Sequence, residues 1–311
     1  MEVYNMYLPY LRGRQYELIA LRELVEKKVL SDKIIPVIEP VRLSTTLVKT
    51  MELYGRENRL IAFITNPEVG NFVDEKNEEN NKKLAKDLND SLQNNNVISM
   101  YLLKANSDLS ESIVTSGKKV GTICVDSDSI AIYQKYFAQM AVNYNLMPDG
   151  SVYRRKIETN RVLLADRFNK RPKNSDYKVN DDEPFSEDHL YYNSDGYIGF
   201  ADYSIVGSEY SETGFAPYAV AIHIVYFADD NSLRVRHFVS DSNDDIKDPP
   251  KKFQEALVKL IKWNEEKKLD TVAMREFQKL YDREAYPGLG TVKKLCIMHH
   301  LELIGDYLDK E

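Results

Sequence analysis

The sequence predicts an α/β fold, and three observations lead to that prediction. Short apolar runs alternate with segments of helical periodicity over residues 6–140. The runs are continuously apolar rather than alternating, which is typical of strands buried on both faces. Each run ends in a charged or amide residue, as strands do at the functional edge of α/β folds. The pattern favours a (β/α)8 TIM-barrel-like fold with a β-hairpin insertion and C-terminal helices; a doubly wound open sheet is the alternative.

The first half of the chain is predicted to contain five strand–helix units. The predicted strands are 6–11, 33–39, 59–66, 97–104 and 119–126. The predicted helices are 15–30, 47–54, 81–93, 109–115 and 129–140. Apolar residues at helical spacing support the helices, as with Leu84, Leu88 and Leu92 in the third. Strands that alternate with helices pair in parallel through right-handed crossovers.

The second half is predicted to be less regular. Further strands are predicted at 161–166 and 196–202, and a hairpin at 218–227 and 233–239. Helices are predicted at 252–267, 271–285 and 291–308. We interpret 1–311 as a single barrel-like domain with a polar, irregular insertion at 169–190 and a C-terminal helical segment at 250–311. A loop as long as this insertion is usually functional or disordered.

Composition limits the classes of function. The 311 residues carry a net charge of -7, which argues against a broad nucleic-acid-binding surface. No apolar stretch is long enough to cross a membrane, and no signal-peptide pattern is present. Cys124 and Cys296 both lie in apolar runs, as buried thiols do in a reducing compartment. We expect a cytoplasmic protein.

The acidic residues that end the strands are the candidate catalytic groups. Glu39, Asp166 and Asp202 each follow an apolar run, and parallel pairing would bring them to one rim together with Asp126. Converging carboxylates either hold a divalent cation or divide acid and base roles. The alternative is a buried ion-pair network that only closes the rim. No protein metal site is identified, and a divalent cation stays open as a cofactor.

A basic turn after the first strand is the candidate anion site. Arg12, Gly13 and Arg14 open the first helix, so two guanidiniums lie beside free helix amides. A phosphate or carboxylate would suit this turn; ion pairing with Glu17 or Glu23 is the alternative. The further candidates for ligand binding are Asn66, Lys104, Asp126, Arg167, Tyr203 and His223. His223 and His237 are expected to be cross-strand neighbours in the hairpin.

Several segments together resemble the "beta family" proteins of bacteria and phage. They are YLPYLRGRQYELIALREL, KIIPVIEPV, FITNPEVG, DGYIGFADYSIVG, YAVAIHIVYF, RHFVSDSNDD and HHLELI. The last five are similar to a narrower branch that is encoded beside a second small protein. The resemblance implies a barrel-like α/β fold, a protein partner encoded by the neighbouring gene, and a setting in mobile elements or antiviral defence. It transfers no catalytic residue.

Three hypotheses for function follow. The first is an enzyme or ligand sensor that acts on a phosphate-bearing or nucleotide-like small molecule in a two-protein defence or mobile-element module. The second is a non-catalytic interaction subunit of that module. The third is a metal-dependent nuclease, which the acidic net charge disfavours.

Overall fold

The structure is a computed structural model that describes residues 5–105, 109, 113, 117–212 and 218–311. The described residues form twelve strands: β1 (Met6–Tyr7), β2 (Tyr10–Leu11), β3 (Val37–Ile38), β4 (Ile61–Ile64), β5 (Val97–Leu103), β6 (Val120–Cys124), β7 (Tyr144–Met147), β8 (Arg161–Ala165), β9 (Asp182–Ser186), β10 (Gly199–Asp202), β11 (Ala221–Phe227) and β12 (Leu233–Val239). They also form ten α-helices: α1 (Gln15–Glu26), α2 (Thr45–Arg56), α3 (Phe72–Asn77), α4 (Lys82–Leu92), α5 (Ser129–Tyr136), α6 (Ser151–Lys156), α7 (Asp188–Tyr191), α8 (Pro249–Lys267), α9 (Val272–Asp282) and α10 (Leu289–Leu308).

A curled sheet of nine strands forms the centre of the fold. Its strand order is β1-β10-β8-β7-β6-β5-β4-β3-β2, and neighbouring strands pair in parallel. The α/β class and the parallel pairing predicted from the apolar runs are therefore confirmed. The two strands at the ends of this order, β1 and β2, are separated in the chain only by Leu8 and Pro9. Because proline has no backbone N–H to donate, it interrupts a strand at this point.

The curled sheet has one apolar core on each face. In β5, Ile98, Met100 and Leu102 belong to the inner core, whereas Val97 and Tyr101 belong to the core between sheet and helices. This alternation follows from the two-residue period of a strand. Both faces are buried, so the strand is apolar at nearly every position, and full burial of one such side chain contributes about 1.5 to 3 kcal/mol.

The predicted order of strands along the chain is wrong at one point, because one strand was overlooked. The structure has β7 and α6 between residues 144 and 156, so β8, predicted as the sixth strand, follows an extra strand–helix unit. The side chain of Asn145 made β7 difficult to recognise. Its Oδ1 accepts a hydrogen bond from Thr122 Oγ1 at 2.6 Å, and its Nδ2 donates to the Thr159 carbonyl at 2.9 Å. A buried amide is tolerated here because both ends are hydrogen-bonded.

A second, three-stranded antiparallel sheet lies beside the first, in the order β11-β12-β9. The predicted hairpin is confirmed as β11 and β12, and His223 lies directly opposite His237. The insertion predicted as irregular contains a 3-10 helix (Asn174–Lys178) and the edge strand β9. The Oδ1 of Asp182 in β9 accepts a hydrogen bond from Arg234 Nε of the neighbouring strand at 2.6 Å. This ion pair compensates the negative charge of Asp182, which would otherwise favour a loop.

The C-terminal helices are confirmed, and α10 packs along α1. Lys294 Nζ donates to Glu23 Oε1 at 2.6 Å across this contact. The predicted helix over 109–115 lies outside the described residues except for Leu109 and Ile113. Within the described part of the chain, no helix combines the length and apolar character needed to cross a membrane.

Candidate functional site

The parallel sheet places most of the predicted site residues along one edge. All its strands run in the same direction, so residues that follow them lie at the carboxyl edge. The predicted residues at or just after these strand ends are Arg12, Glu39, Asn66, Lys104, Asp126, Asp166 and Asp202. They share an edge, but their hydrogen bonds divide them into several separate groups.

Arg12 and Glu39 form the central group of this edge. Glu39 is only 1% exposed and forms an ion pair with Arg12. Tyr10 Oη donates to Glu39 Oε2 at 2.7 Å, and the Glu68 backbone N–H donates to Oε1 at 2.9 Å. Gly13 permits the turn that brings Arg12 here, with φ of 61° and the Glu39 carbonyl 3.1 Å from the position of a Cβ. Both carboxylate oxygens of Glu39 are thus occupied by fixed donors.

The segment that follows β10 covers this group. Arg12 donates to the carbonyl of Ser208, and the Tyr203 ring lies 4.8 Å from that of Tyr10. The Ser208 N–H donates to Asp166 Oδ2 at 2.7 Å, so the exposed Asp166 anchors the covering segment. Burial raises the pKa of Tyr203 to about 12, and its hydroxyl therefore remains protonated at neutral pH.

Asp202 lies on the other face of the sheet. Its Oδ1 accepts from Tyr7 Oη at 2.6 Å and from the Ser204 N–H at 2.7 Å. Tyr7 belongs to the core between sheet and helices, whereas Tyr10, the partner of Glu39, belongs to the inner core. Burial raises the pKa of Asp202 to about 7. The structure therefore separates Asp202 from Glu39, although both lie at the carboxyl edge of one sheet.

Three other predicted residues, Asn66, Asp126 and Lys104, make local contacts. Asn66 hydrogen-bonds both the N–H and the carbonyl of Leu102, at 2.9 and 2.8 Å, and so extends the sheet edge. Asp126 Oδ1 accepts from the Ser129 N–H at 2.9 Å at the start of α5. Lys104 pairs with Glu68, the residue whose N–H contacts Glu39.

Arg167 makes a bidentate ion pair with Asp188, with Nε to Oδ2 at 2.7 Å. This contact ties the loop after β8 to α7. Arg14 donates to the Ser211 carbonyl at 2.7 Å, and its guanidinium lies 4.9 Å from the centre of the Tyr210 ring. The alternative partner proposed for it, Glu17, instead accepts from the Arg14 backbone N–H at 3.2 Å.

A cleft of about 930 Å³ opens next to Arg14 at the same edge. It lies between the first turns of α1 and α2 and the covering segment after β10. The polar residues that line it are Arg14, Gln15, Arg42, Ser44, Thr46, Asn71, Glu75, Glu78, Asn81, Tyr210, Ser211 and Glu212. Arg42 is 70% exposed in its side chain and lies 3.7 Å from Glu75. The cleft is large enough for a nucleotide-sized molecule.

Sequence reasoning missed three contributors to this edge: Tyr10, Glu68 and Arg42. Tyr10 was recognisable, because a residue two positions before Arg12 shares its face in an extended strand. Glu68 and Arg42 lie in loops that carry no periodic signal, so only the fold brings them beside Glu39 and Arg14. His223, by contrast, lies in the second sheet, where its Nδ1 is 2.8 Å from Nδ1 of His237.

Among the described residues, no group of three or more His, Cys, Asp or Glu side chains is arranged to hold a metal ion. Both cysteines are free and buried, and burial raises the pKa of each to about 12. Comparisons with protein-family models, with curated proteins and with solved structures gave no match.

Proposed function

We propose that this chain is a (β/α)8 barrel protein that binds a phosphate-bearing small molecule in the cleft at its carboxyl edge. The observation that carries the proposal is the cleft itself, where Arg14 and Arg42 face the first turns of two twelve-residue helices. Unpaired N–H groups and the helix dipole make such first turns favourable for anions. Guanidiniums add bidentate hydrogen bonding to phosphate oxygens.

Hydrogen bonds of residues 6–11 support closure of the curled sheet into a barrel. On one side, the Leu8 N–H donates to the Phe200 carbonyl of β10 at 2.9 Å. On the other side, the Val37 N–H of β3 donates to the Pro9 carbonyl at 2.9 Å. If β1 and β2 count as one strand interrupted at Pro9, the sheet contains eight strands and its two ends are the same strand. The inner apolar core is then the filled interior expected of such a barrel.

The charges of the cleft narrow the class of ligand. Glu75, Glu78 and Glu212 line it together with the two arginines, so a bare polyphosphate would meet both attraction and repulsion. Mg²⁺ in proteins is usually held by one or two carboxylates together with substrate phosphates. We therefore expect a nucleotide that binds better as its magnesium complex than as the free anion.

Ligand sensing is favoured over catalysis at the barrel mouth. A catalytic carboxylate must reach the reacting atoms of a substrate. Glu39 is buried and already accepts from Arg12, Tyr10 and the Glu68 N–H. Asp202 lies on the other face of the sheet. The cleft thus offers binding groups, while the predicted catalytic carboxylates are engaged elsewhere.

Isothermal titration calorimetry with Mg·ATP, ATP with EDTA, and AMP tests this proposal. Arg42→Ala should weaken Mg·ATP binding about tenfold, because one charged hydrogen-bonding group is lost. The matched control is Arg56→Ala at the opposite end of α2. Arg56 is also 70% exposed and also pairs with one glutamate, Glu57.

Equal affinities for the wild type, Arg42→Ala and Arg56→Ala would contradict the assignment of the cleft, as would heats of dilution alone with all three probes. Arg14→Ala gives an independent second measurement, because Arg14 lies at the other side of the cleft. The catalytic hypothesis would be favoured instead if the wild type released inorganic phosphate from Mg·ATP and Glu39→Gln did not.

The protein partner implied by the resemblance remains a prediction. The insertion and the residue that follows it offer an exposed surface for it, since Val179 is 92% exposed and Tyr191 is 53% exposed. Co-expression with the neighbouring gene product followed by size-exclusion chromatography tests it. Val179→Asp should shift the partner to its free elution volume, and elution of two separate species from the wild type would reject a stable complex.

A further inference from the structure

A smaller cavity, of about 220 Å³, lies between the loop after β8, strand β11 and helix α10. It shares no lining residue with the cleft described above. Its lining includes apolar side chains together with Lys170, Arg171, Tyr177, His223, Lys293 and Cys296. The cavity thus combines an apolar wall with a histidine and three cationic side chains.

His223 lies at the end of a buried polar chain that leads to this cavity. The chain begins at Glu183, whose Oε2 accepts from Arg171 at 3.0 Å. Glu183 Oε1 lies 3.3 Å from His237 Nε2, and His237 Nδ1 lies 2.8 Å from His223 Nδ1. Glu183 and His237 are 5% and 2% exposed, so this chain is closed to solvent until it reaches His223.

The chain determines which nitrogen of each histidine carries the proton. A glutamate that is ionised opposite Arg171 accepts only, so His237 must donate from Nε2. The Nδ1 of a neutral His237 then carries a lone pair, and His223 must donate to it from Nδ1. The remaining Nε2 of His223 is left with a lone pair.

The surroundings keep both imidazoles neutral. Burial lowers the pKa of His223 and of His237. The neighbouring His237 lowers the pKa of His223 further, and Arg171 lowers that of His237, although Glu183 opposes the latter effect. The rings of Phe168 and Tyr177 pack against both histidines, with Tyr177 4.7 Å from His223 and 4.5 Å from His237. This packing holds the pair in one geometry, so the lone pair of Nε2 is presented in a fixed direction.

The cationic side chains of the cavity differ in their partners. Arg171 is engaged by Glu183, and Lys170 lies 3.4 Å from Glu209. Lys293 has no carboxylate within ion-pair distance among the residues that the structure describes. Cys296 also lines the cavity, but burial raises its pKa to about 12, so it contributes a thiol and not a thiolate.

We propose that this cavity binds an oxyanion that carries a hydroxyl group, as a protonated phosphate group does. The Nε2 of His223 accepts the hydrogen bond of that hydroxyl, and Lys293 supplies the opposing charge. His237 and Glu183 are positioning residues, because they act on the ligand only through the tautomer of His223. The site is independent of the nucleotide cleft proposed above.

Carbethoxylation of the intact protein by diethyl pyrocarbonate tests the proposal. A neutral imidazole nitrogen attacks a carbonyl carbon of the reagent, the C–O bond to the leaving group breaks, and carbon dioxide and ethanol are released. Peptide mass spectrometry then gives the modification rate of each histidine at pH 6.5. We expect His223 to react faster than the buried His237 and His299, and inorganic phosphate to slow its reaction in a saturable way.

Sulfate is the matched probe, because it resembles phosphate in size and charge but has no hydroxyl at this pH. It should protect His223 much less than phosphate does. Lys293→Ala should raise the phosphate concentration needed for half-protection about tenfold, as loss of one charged contact implies. Lys262→Ala, at an exposed position on α8, should leave it unchanged.

Three outcomes would overturn the proposal: an unreactive His223, equal protection by phosphate and sulfate, or the same half-protection in Lys293→Ala as in the wild type. Arg42→Ala separates this site from the cleft. It should weaken nucleotide binding about tenfold, as stated above, but leave the protection of His223 by phosphate intact. Loss of that protection in Arg42→Ala would place the phosphate in the cleft and reject the second site.

Discussion

Two buried glutamates in this molecule each pair with an arginine, but their surroundings differ. Glu39, at the mouth of the parallel sheet, is surrounded by Arg12, Tyr10 and the Glu68 N–H, all of them fixed parts of the fold. Glu183, in the antiparallel sheet, is linked through His237 to a histidine that lines a cavity. The contacts of Glu39 all lie within the fold, whereas the contacts of Glu183 lead to a cavity that a ligand can occupy.

This difference shows that a buried ion pair by itself indicates structure rather than chemistry. Removing one partner of such a pair leaves an uncompensated charge, whatever the pair does. A functional role requires in addition that the polar chain ends at an accessible group. Asp202 is a third case, because its hydrogen bonds come from Tyr7 and Ser204 and not from a cation. Substitutions at these three acids therefore test whether their roles in the fold differ.

The largest effect is expected at Glu39. Glu39→Ala leaves Arg12, whose side chain is only 14% exposed, without its carboxylate. The free energy of unfolding, measured by urea denaturation, should fall by about 4 kcal/mol. Glu57→Ala removes the exposed partner of Arg56 and should change it by less than about 0.5 kcal/mol. A loss below about 1 kcal/mol for Glu39→Ala would show that this pair is not structural.

A pH-dependent effect of intermediate size is expected at Asp202. Burial raises its pKa from 3.8 to about 7, so the folded state binds a proton that the unfolded state releases between these values. The resulting stabilisation is complete below pH 4 and is lost as the pH rises through 7. Asp202→Asn keeps the acceptor oxygen and lacks this titration.

The free energy of unfolding of Asp202→Asn, relative to the wild type, should therefore rise by about 2 to 3 kcal/mol between pH 5 and pH 8. Urea denaturation at the two pH values measures this difference. Asp90→Asn, at an exposed position on α4, is the control for the removal of one negative charge. A constant difference between Asp202→Asn and the wild type at both pH values would refute the argument.

The smallest of the three effects is expected at Glu183. Glu183→Ala should lower the free energy of unfolding by about 2 kcal/mol in urea denaturation. The loss is smaller than at Glu39 because the side chain of Arg171 is 33% exposed and water can replace the lost partner. Glu183→Gln retains one acceptor for Arg171 or His237 and should lose less than Glu183→Ala. Equal losses for Glu39→Ala and Glu183→Ala would remove the distinction between the two sites.

Much of the parallel sheet could be predicted from the sequence, because its strands are buried on both faces. Such strands are apolar throughout, as in β5, and remain recognisable without their neighbours. Strand β7 was overlooked because Asn145 is polar, and its two partners, Thr122 and Thr159, come from other parts of the chain. Strand β9 was overlooked because the acidic run at 181–183 is typical of a solvated loop.

The cross-strand neighbours explain why that acidic run forms a strand. Although burial opposes it, hydrogen bonds from Tyr226 and Arg234 lower the pKa of Asp182. Pro184 is tolerated because β9 lies at the edge of its sheet, where a missing N–H costs no ladder hydrogen bond. Neither compensation is visible in the local sequence.

The local order of residues specifies most of the buried parallel strands and the polar residues at their ends, because hydrophobic burial is encoded residue by residue along the chain. Which of those polar ends meet follows from the folded arrangement and not from the local sequence. Glu39 is 29 residues from Tyr10, and Glu183 is 54 residues from His237, so their pairing depends on sheet curvature and strand register. The face on which an acid lies, and whether a cation lies within hydrogen-bonding distance, follow from that geometry.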